Sequence, residues 1–120
     1  MKYNVIFTLG IEYDEYEMSL RGCRNDVLVQ NLNGEYFEFN YETIEMVNDY
    51  FVRGDNVYFW DKLIIVKDIS KEAICNSINY MHTKQFFKIW KPLTSEYLEK
   101  HYYPKEKWEI FEVEVTDNIQ

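Results

Sequence analysis

Asp26-Val27-Leu28-Val29-Gln30-Asn31-Leu32-Asn33-Gly34-Glu35-Tyr36-Phe37-Glu38-Phe39 is the stretch on which the fold turns. Its two ends are short runs of β-branched and aromatic residues. Between them stands Asn-Gly, the pair that most readily takes the positive φ angles of a reversing turn. The stretch therefore predicts a tight antiparallel hairpin. Toward the N-terminus, Tyr3-Asn4-Val5-Ile6-Phe7-Thr8-Leu9 reads as a strand with Val5, Phe7 and Leu9 on one face, ended or bent by Gly10. In residues 13–21, Tyr16, Met18 and Leu20 alternate with Glu15, Glu17, Ser19 and Arg21, the period of two that marks a half-buried strand.

Toward the C-terminus the period changes. Ile44, Val47 and Phe51 recur at helical spacing after Asn40, a suitable N-cap, and Gly54 supplies a stop. Val57-Tyr58-Phe59-Trp60 and Leu63-Ile64-Ile65-Val66 flank Asp61-Lys62, which predicts a second hairpin, and the unbroken apolar run places its later strand at the centre of the sheet. Ser70 is an N-cap, Ile69 and Ile74 form a hydrophobic staple, and Ile74, Ile78 and Met81 share a face, so a helix is expected over about 71–83. Phe86-Phe87-Lys88-Ile89-Trp90 fits helix or strand, and Pro92 closes it. Thr94 or Ser95 then caps a short helix ending before Pro104. Trp108-Glu109-Ile110-Phe111-Glu112-Val113-Glu114-Val115 is a last strand whose apolar residues change phase, which calls for a bulge near Ile110-Phe111. The order predicts a single α+β domain over residues 1–120, with an antiparallel sheet of five to seven strands and two or three short helices packed on one face.

The 120 residues are 47% hydrophobic and 28% charged with four Gly and two Pro, the balance of one packed domain. Nothing approaches the roughly 20 apolar residues of a membrane helix, and the first residues lead straight into strand-like sequence, so neither a membrane span nor a signal peptide is expected. Cys23 and Cys75 are the two cysteines, too few for a disulfide framework or a four-cysteine zinc site, which suits a reducing, cytoplasmic setting.

The formal charge of -8 is concentrated: Lys2, Arg21, Arg24 and Arg53 stand against eleven acids in residues 1–60, while residues 61–120 hold nine Lys against ten acids. Acidity of this size disfavours nucleic acid and anionic membranes and favours a basic protein partner. Eleven Tyr exceed what one small core readily takes, so some belong on a surface among acids, where they can anchor a partner. Two acidic sets stand out. Glu12, Tyr13, Asp14, Glu15, Tyr16 and Glu17 place four carboxylates and two phenols at an expected turn. Glu35, Glu38, Glu42, Glu45 and Asp49 straddle the hairpin and first helix, with Glu42, Glu45 and Asp49 at i, i+3 and i+7. An ordinary solvated face is the competing explanation for both sets.

Other chemistry is thinly represented. His82 and His101 lie far apart with no neighbours at metal-ligand spacing, so no metal and no cofactor is expected. Arg21 and Arg24 flank Cys23 and could lower its pKa, but no base is placeable and a structural thiol is favoured. Residues 84–107 interleave lysines with Phe86, Phe87, Trp90, Tyr97, Tyr102 and Tyr103, a pattern that could stack on nucleic acid, yet the whole-chain charge opposes it. No Gly-rich phosphate loop, Gly-x-Ser-x-Gly or His-Glu-x-x-His is present, so no enzyme is expected.

With its acidic N-terminal half, the Asn31-Leu32-Asn33-Gly34-Glu35 hairpin leading into a helix, and the terminal Trp108-Glu109-Ile110-Phe111-Glu112-Val113 strand, the chain resembles the small acidic immunity proteins of bacterial polymorphic toxin systems. That resemblance implies a cytosolic, non-catalytic inhibitor that binds one toxin domain, often a basic nuclease, and blocks its active site. The contact residues expected are Glu12, Tyr13, Asp14, Glu15, Tyr16 and Glu17 first, then Glu42, Glu45 and Asp49. Three other readings remain: an inhibitor from a phage or mobile element that mimics nucleic acid, a small enzyme using paired carboxylates, and a homodimer built on an exposed sheet edge.

Overall fold

The computed structural model describes residues 1–9, 22–57 and 62–116. Its elements are β1 (Lys2–Phe7), β2 (Cys23–Gln30), β3 (Tyr36–Thr43), α1 (Ile44–Val52), β4 (Leu63–Val66), α2 (Lys71–Thr83), α3 (Phe86–Ile89), α4 (Ser95–Tyr102) and β5 (Glu109–Glu114). The fold is α+β: five strands in the order β4-β3-β2-β1-β5, antiparallel except for the parallel β3–β4 pair. The strand read over residues 13–21 lies outside the described residues.

The hairpin forms where the sequence puts it, with a wider turn. Its last strand pair is Gln30↔Tyr36, so residues 31–35 form the connection. Asn31 organises it: its side-chain oxygen accepts from the backbone N–H groups of Asn33 and Glu35 at 3.1 and 3.0 Å, and its carbonyl accepts from Gly34. Gly34 supplies the one left-handed residue, at φ +80°.

β2 is the central strand. Val27, Leu28 and Val29 are all fully buried, because an inner strand covered on both faces has no polar side to show. The same unbroken pattern in Leu63-Ile64-Ile65-Val66 reads differently: among the described strands β4 is outermost, and Ile65 is exposed. Its partner is β3 in parallel, a pairing that needs a crossover, and α1 lies in that link. The other half of the expected second hairpin, residues 58–60, lies outside the described residues. β5 also departs from expectation, since it pairs with β1 in continuous register from Lys2↔Glu114 to Phe7↔Glu109 with no bulge. The phase change disappears because Trp108 precedes the strand and Ile110 points to the face away from Phe111 and Val113. Leu9 likewise falls beyond β1, in an exposed turn.

The helices divide between the two faces rather than covering one. On the front face Tyr3, Val5, Phe7, Val27, Val29 and Phe39 pack against Ile74, Ile78 and Met81 of α2, joined by Phe86, Phe87 and Trp90 from α3 and its end. α2 matches its sequence signals: Ser70 accepts from Ala73 N–H, and Ile69 and Ile74 are both buried as a staple. On the back face Ile6 and Leu28 meet Leu98 of α4, with Tyr36, Leu93, Tyr102 and Trp108 around them. Thr94 caps α4 through Tyr97 N–H. A chain whose inner strands are apolar on both sides requires this second cover.

Candidate protein-binding surface

Of the residues expected to contact a partner, Glu12, Tyr13, Asp14, Glu15, Tyr16 and Glu17 lie outside the described residues. The structure separates the remaining three. Asn40 is not a cap, because β3 continues through Thr43 to pair with β4. Thr43 is the N-cap, its hydroxyl accepting from Met46 N–H at 3.2 Å. Glu42 therefore belongs to the strand, opposite Cys23 and Ile65, and is only 7% exposed. Glu45 and Asp49 do share α1, at i and i+4. Glu45 sits exposed in the first turn, where a carboxylate complements the helix dipole, and Asp49 pairs with Arg53 at 2.7 Å across one turn.

α1 presents more than acid. Ile44, Val47 and Phe51 were the expected inward stripe, but the arc turned inward is Met46, Val47 and Tyr50, and no residue of the helix is fully buried. Ile44 is 62% exposed and Val52 76%, with Phe51 also outside. At 100° per residue, the exposed arc runs from Phe51 and Ile44 through Val52 to Glu45 and Asp49. Val57, just beyond the helix, is exposed too. The result is a mixed apolar and acidic surface on an outlying helix.

The back face carries a second carboxylate cluster. Glu38, opposite Leu28, accepts from the phenols of Tyr97 and Tyr102, so α4 is tied to β3 through one acid. Burial first, and then its bond to the Glu38 charge, push the Tyr102 phenol well above its ordinary pKa. Beside this cluster an open groove of about 400 Å³ runs between the hairpin turn and α4, lined by Glu35, Tyr36, Leu93, Glu99, Tyr103 and Lys105. Glu35 is held by the Asn31 amide at 2.9 Å, and Lys105 lies over the rings of Tyr103 and Trp108.

The remaining chemical candidates are engaged in structure. Arg24 is fully buried on the front face, bonded to Asp26 at 2.8 Å and stacked on Phe7 at 4.5 Å. Cys23, its neighbour in the strand, alternates to the opposite face. His82 Nδ1 meets the Tyr3 hydroxyl at 2.8 Å, and His101 packs on Tyr97. Phe86, Phe87 and Trp90 are spent on the front core. Among the described residues no group of His, Cys, Asp and Glu could hold a metal ion, and no helix is long and apolar enough to cross a membrane. No family model matches the chain, and searches of curated proteins and of solved structures found no match.

Proposed function

We propose that the protein is a non-catalytic, acidic protein-binding module that works as an immunity-type inhibitor, neutralising a cognate toxin domain by occluding its active site. The observation that carries this reading is the surface of α1, whose exposed arc passes from Phe51 and Ile44 through Val52 to Glu45 and Asp49. Apolar residues held in water cost free energy that contact with a partner recovers, and the acids select which partner. A basic nuclease fits best, because a domain that grips nucleic acid must present a cationic cleft, and the chain's charge of -8 steers such a surface toward it.

The test is capture of a basic protein from a bacterial lysate at about 50 mM salt, repeated at about 500 mM, with the wild type and with the Glu45→Lys/Asp49→Lys variant. A single basic protein is expected to be retained by the wild type and lost to the variant, and its toxic activity should fall when the two are mixed in equal amounts. Reversing Asp14, Glu15 and Glu17 to Lys examines the other acidic set in the same way. Capture that ignores both sets of reversals, or a captured protein whose activity is unaffected, would sink the proposal.

A further inference from the structure

β5 is the outer strand beside β1, and among the described residues nothing pairs with its far edge. The first residue of the chain reveals which backbone groups face that way. Met1 and Val115 exchange both bonds: Val115 N–H donates to the Met1 carbonyl at 2.7 Å, and the Met1 ammonium donates to the Val115 carbonyl at 3.0 Å. Antiparallel ladders alternate bonded and non-bonded pairs, so Tyr3↔Val113, Val5↔Phe111 and Phe7↔Glu109 are the bonded ones. Ile110, Glu112 and Glu114 consequently turn their N–H and C=O groups outward. Their side chains share one face and are all exposed, Ile110 at 56%.

We infer that the outer edge of β5 is a strand-addition site for an extended, Lys- or Arg-bearing segment of a protein partner. The inference rests on the reading of the chain as an acidic binding module and names how a partner is engaged. Charge selects the occupant. An incoming strand with cations at alternate positions sets them beside Glu112 and Glu114 while its backbone completes the open ladder, and Ile110 offers an apolar contact at one end. The exposed Lys2–Glu112 pair, 3.3 Å apart, is readily exchanged for such a contact. A second copy of this chain is a poor occupant, since antiparallel pairing centred on Glu112 sets Glu112 against Glu112.

The probe is a capped heptapeptide of alternating lysine and valine, compared with the same peptide N-methylated along its whole backbone, which keeps the charge but has no backbone donors. The wild type should bind the first, with NMR shifts at the amides of Ile110, Glu112 and Glu114. Binding of the second should be weaker by at least about tenfold, the loss of roughly two net hydrogen bonds. Glu112→Pro, which removes an outward donor together with one of the two selecting carboxylates and leaves the bonds to β1 in place, should weaken the first peptide at least as much. If that variant unfolds, the peptide pair and the shift map still decide the matter. Equal affinity for both peptides, shifts elsewhere, or no binding at millimolar peptide overturns the inference, as does a dimer in sedimentation that Glu112→Pro dissociates. Failure here together with charge-dependent capture through Glu45 and Asp49 removes the edge alone. A peptide-binding edge with no such capture removes the inhibitor reading and leaves the edge.

Discussion

Arg24 and Asp26 bring two opposite charges into the protein interior two residues apart on the same strand, where their pairing offsets part of the cost of burying each. Arg24→Ala should therefore cost about 3–5 kcal/mol in urea unfolding, because it strands the Asp26 carboxylate as well as removing the cover over Phe7. Replacing both by apolar residues of similar volume should cost much less. Two phenols make a second residue-scale test. Burial lifts Tyr41 above its ordinary value of 10.0, against a smaller lowering by its bond to Ser77, and Tyr102 is lifted by burial and by Glu38. The folded protein holds both protons more tightly than the unfolded chain does. Their contribution to stability is thus complete below pH about 10 and is lost as pH rises past that value. Ultraviolet titration should find Tyr41 and Tyr102 among the phenols that ionise only as the protein unfolds. Glycines differ in the same local way. A methyl group at Gly22, φ +72°, would come within 2.6 Å of the Thr43 hydroxyl, whereas at Gly34, φ +80°, it would meet nothing within 4 Å. Gly34→Ala should cost about 1–2 kcal/mol from backbone strain alone, and Gly22→Ala distinctly more, together with some of the α1 cap.

Among the elements, α2 was the most legible in sequence, and β4 and α1 were the least. Ser70, the Ile69–Ile74 staple and the Ile78–Met81 face are all local signals, complete within fifteen residues of chain, and each appears in the structure as read. Ser70→Ala should cost about 1 kcal/mol and Ile78→Ala about 2–5 kcal/mol in equilibrium unfolding. The place of β4 depends instead on a partner twenty-three residues away, and an apolar tetrapeptide carries no mark of whether it lies inside or at an edge. α1 shows the same limit for the binding surface. Its acids Glu45 and Asp49 were recognisable, but the start of the helix was set by Thr43 and not Asn40, because pairing with β4 keeps residues 40–43 extended. That non-local constraint removed Glu42 from the helix row and turned Ile44 and Phe51 outward.

For the molecule as a whole, the class of fold and a strand number close to the five described could be read from the order of periodic segments, while the cover on both faces and the identity of the outermost described strands could not. Two hydrophobic clusters on opposite sides of one sheet make the consequences of mutation separable: Leu98→Ala should weaken the back face and release the Tyr97 and Tyr102 contacts to Glu38 while leaving the α2 packing intact. Hydrogen exchange read residue by residue should show α4 opening at lower free energy than β2, the strand buried on both sides. The β1–β5 ladder has a consequence in time. It joins Lys2 to Glu114, so during synthesis β1 receives its outer neighbour only after more than a hundred further residues have followed. For those seconds β1 can complete its pairing with β2 but must keep its other flank exposed, and closing so long a loop is the slow kind of contact. β5 is the latch, and a nascent chain stalled before residue 109 should bind chaperones through the flank that β5 later covers.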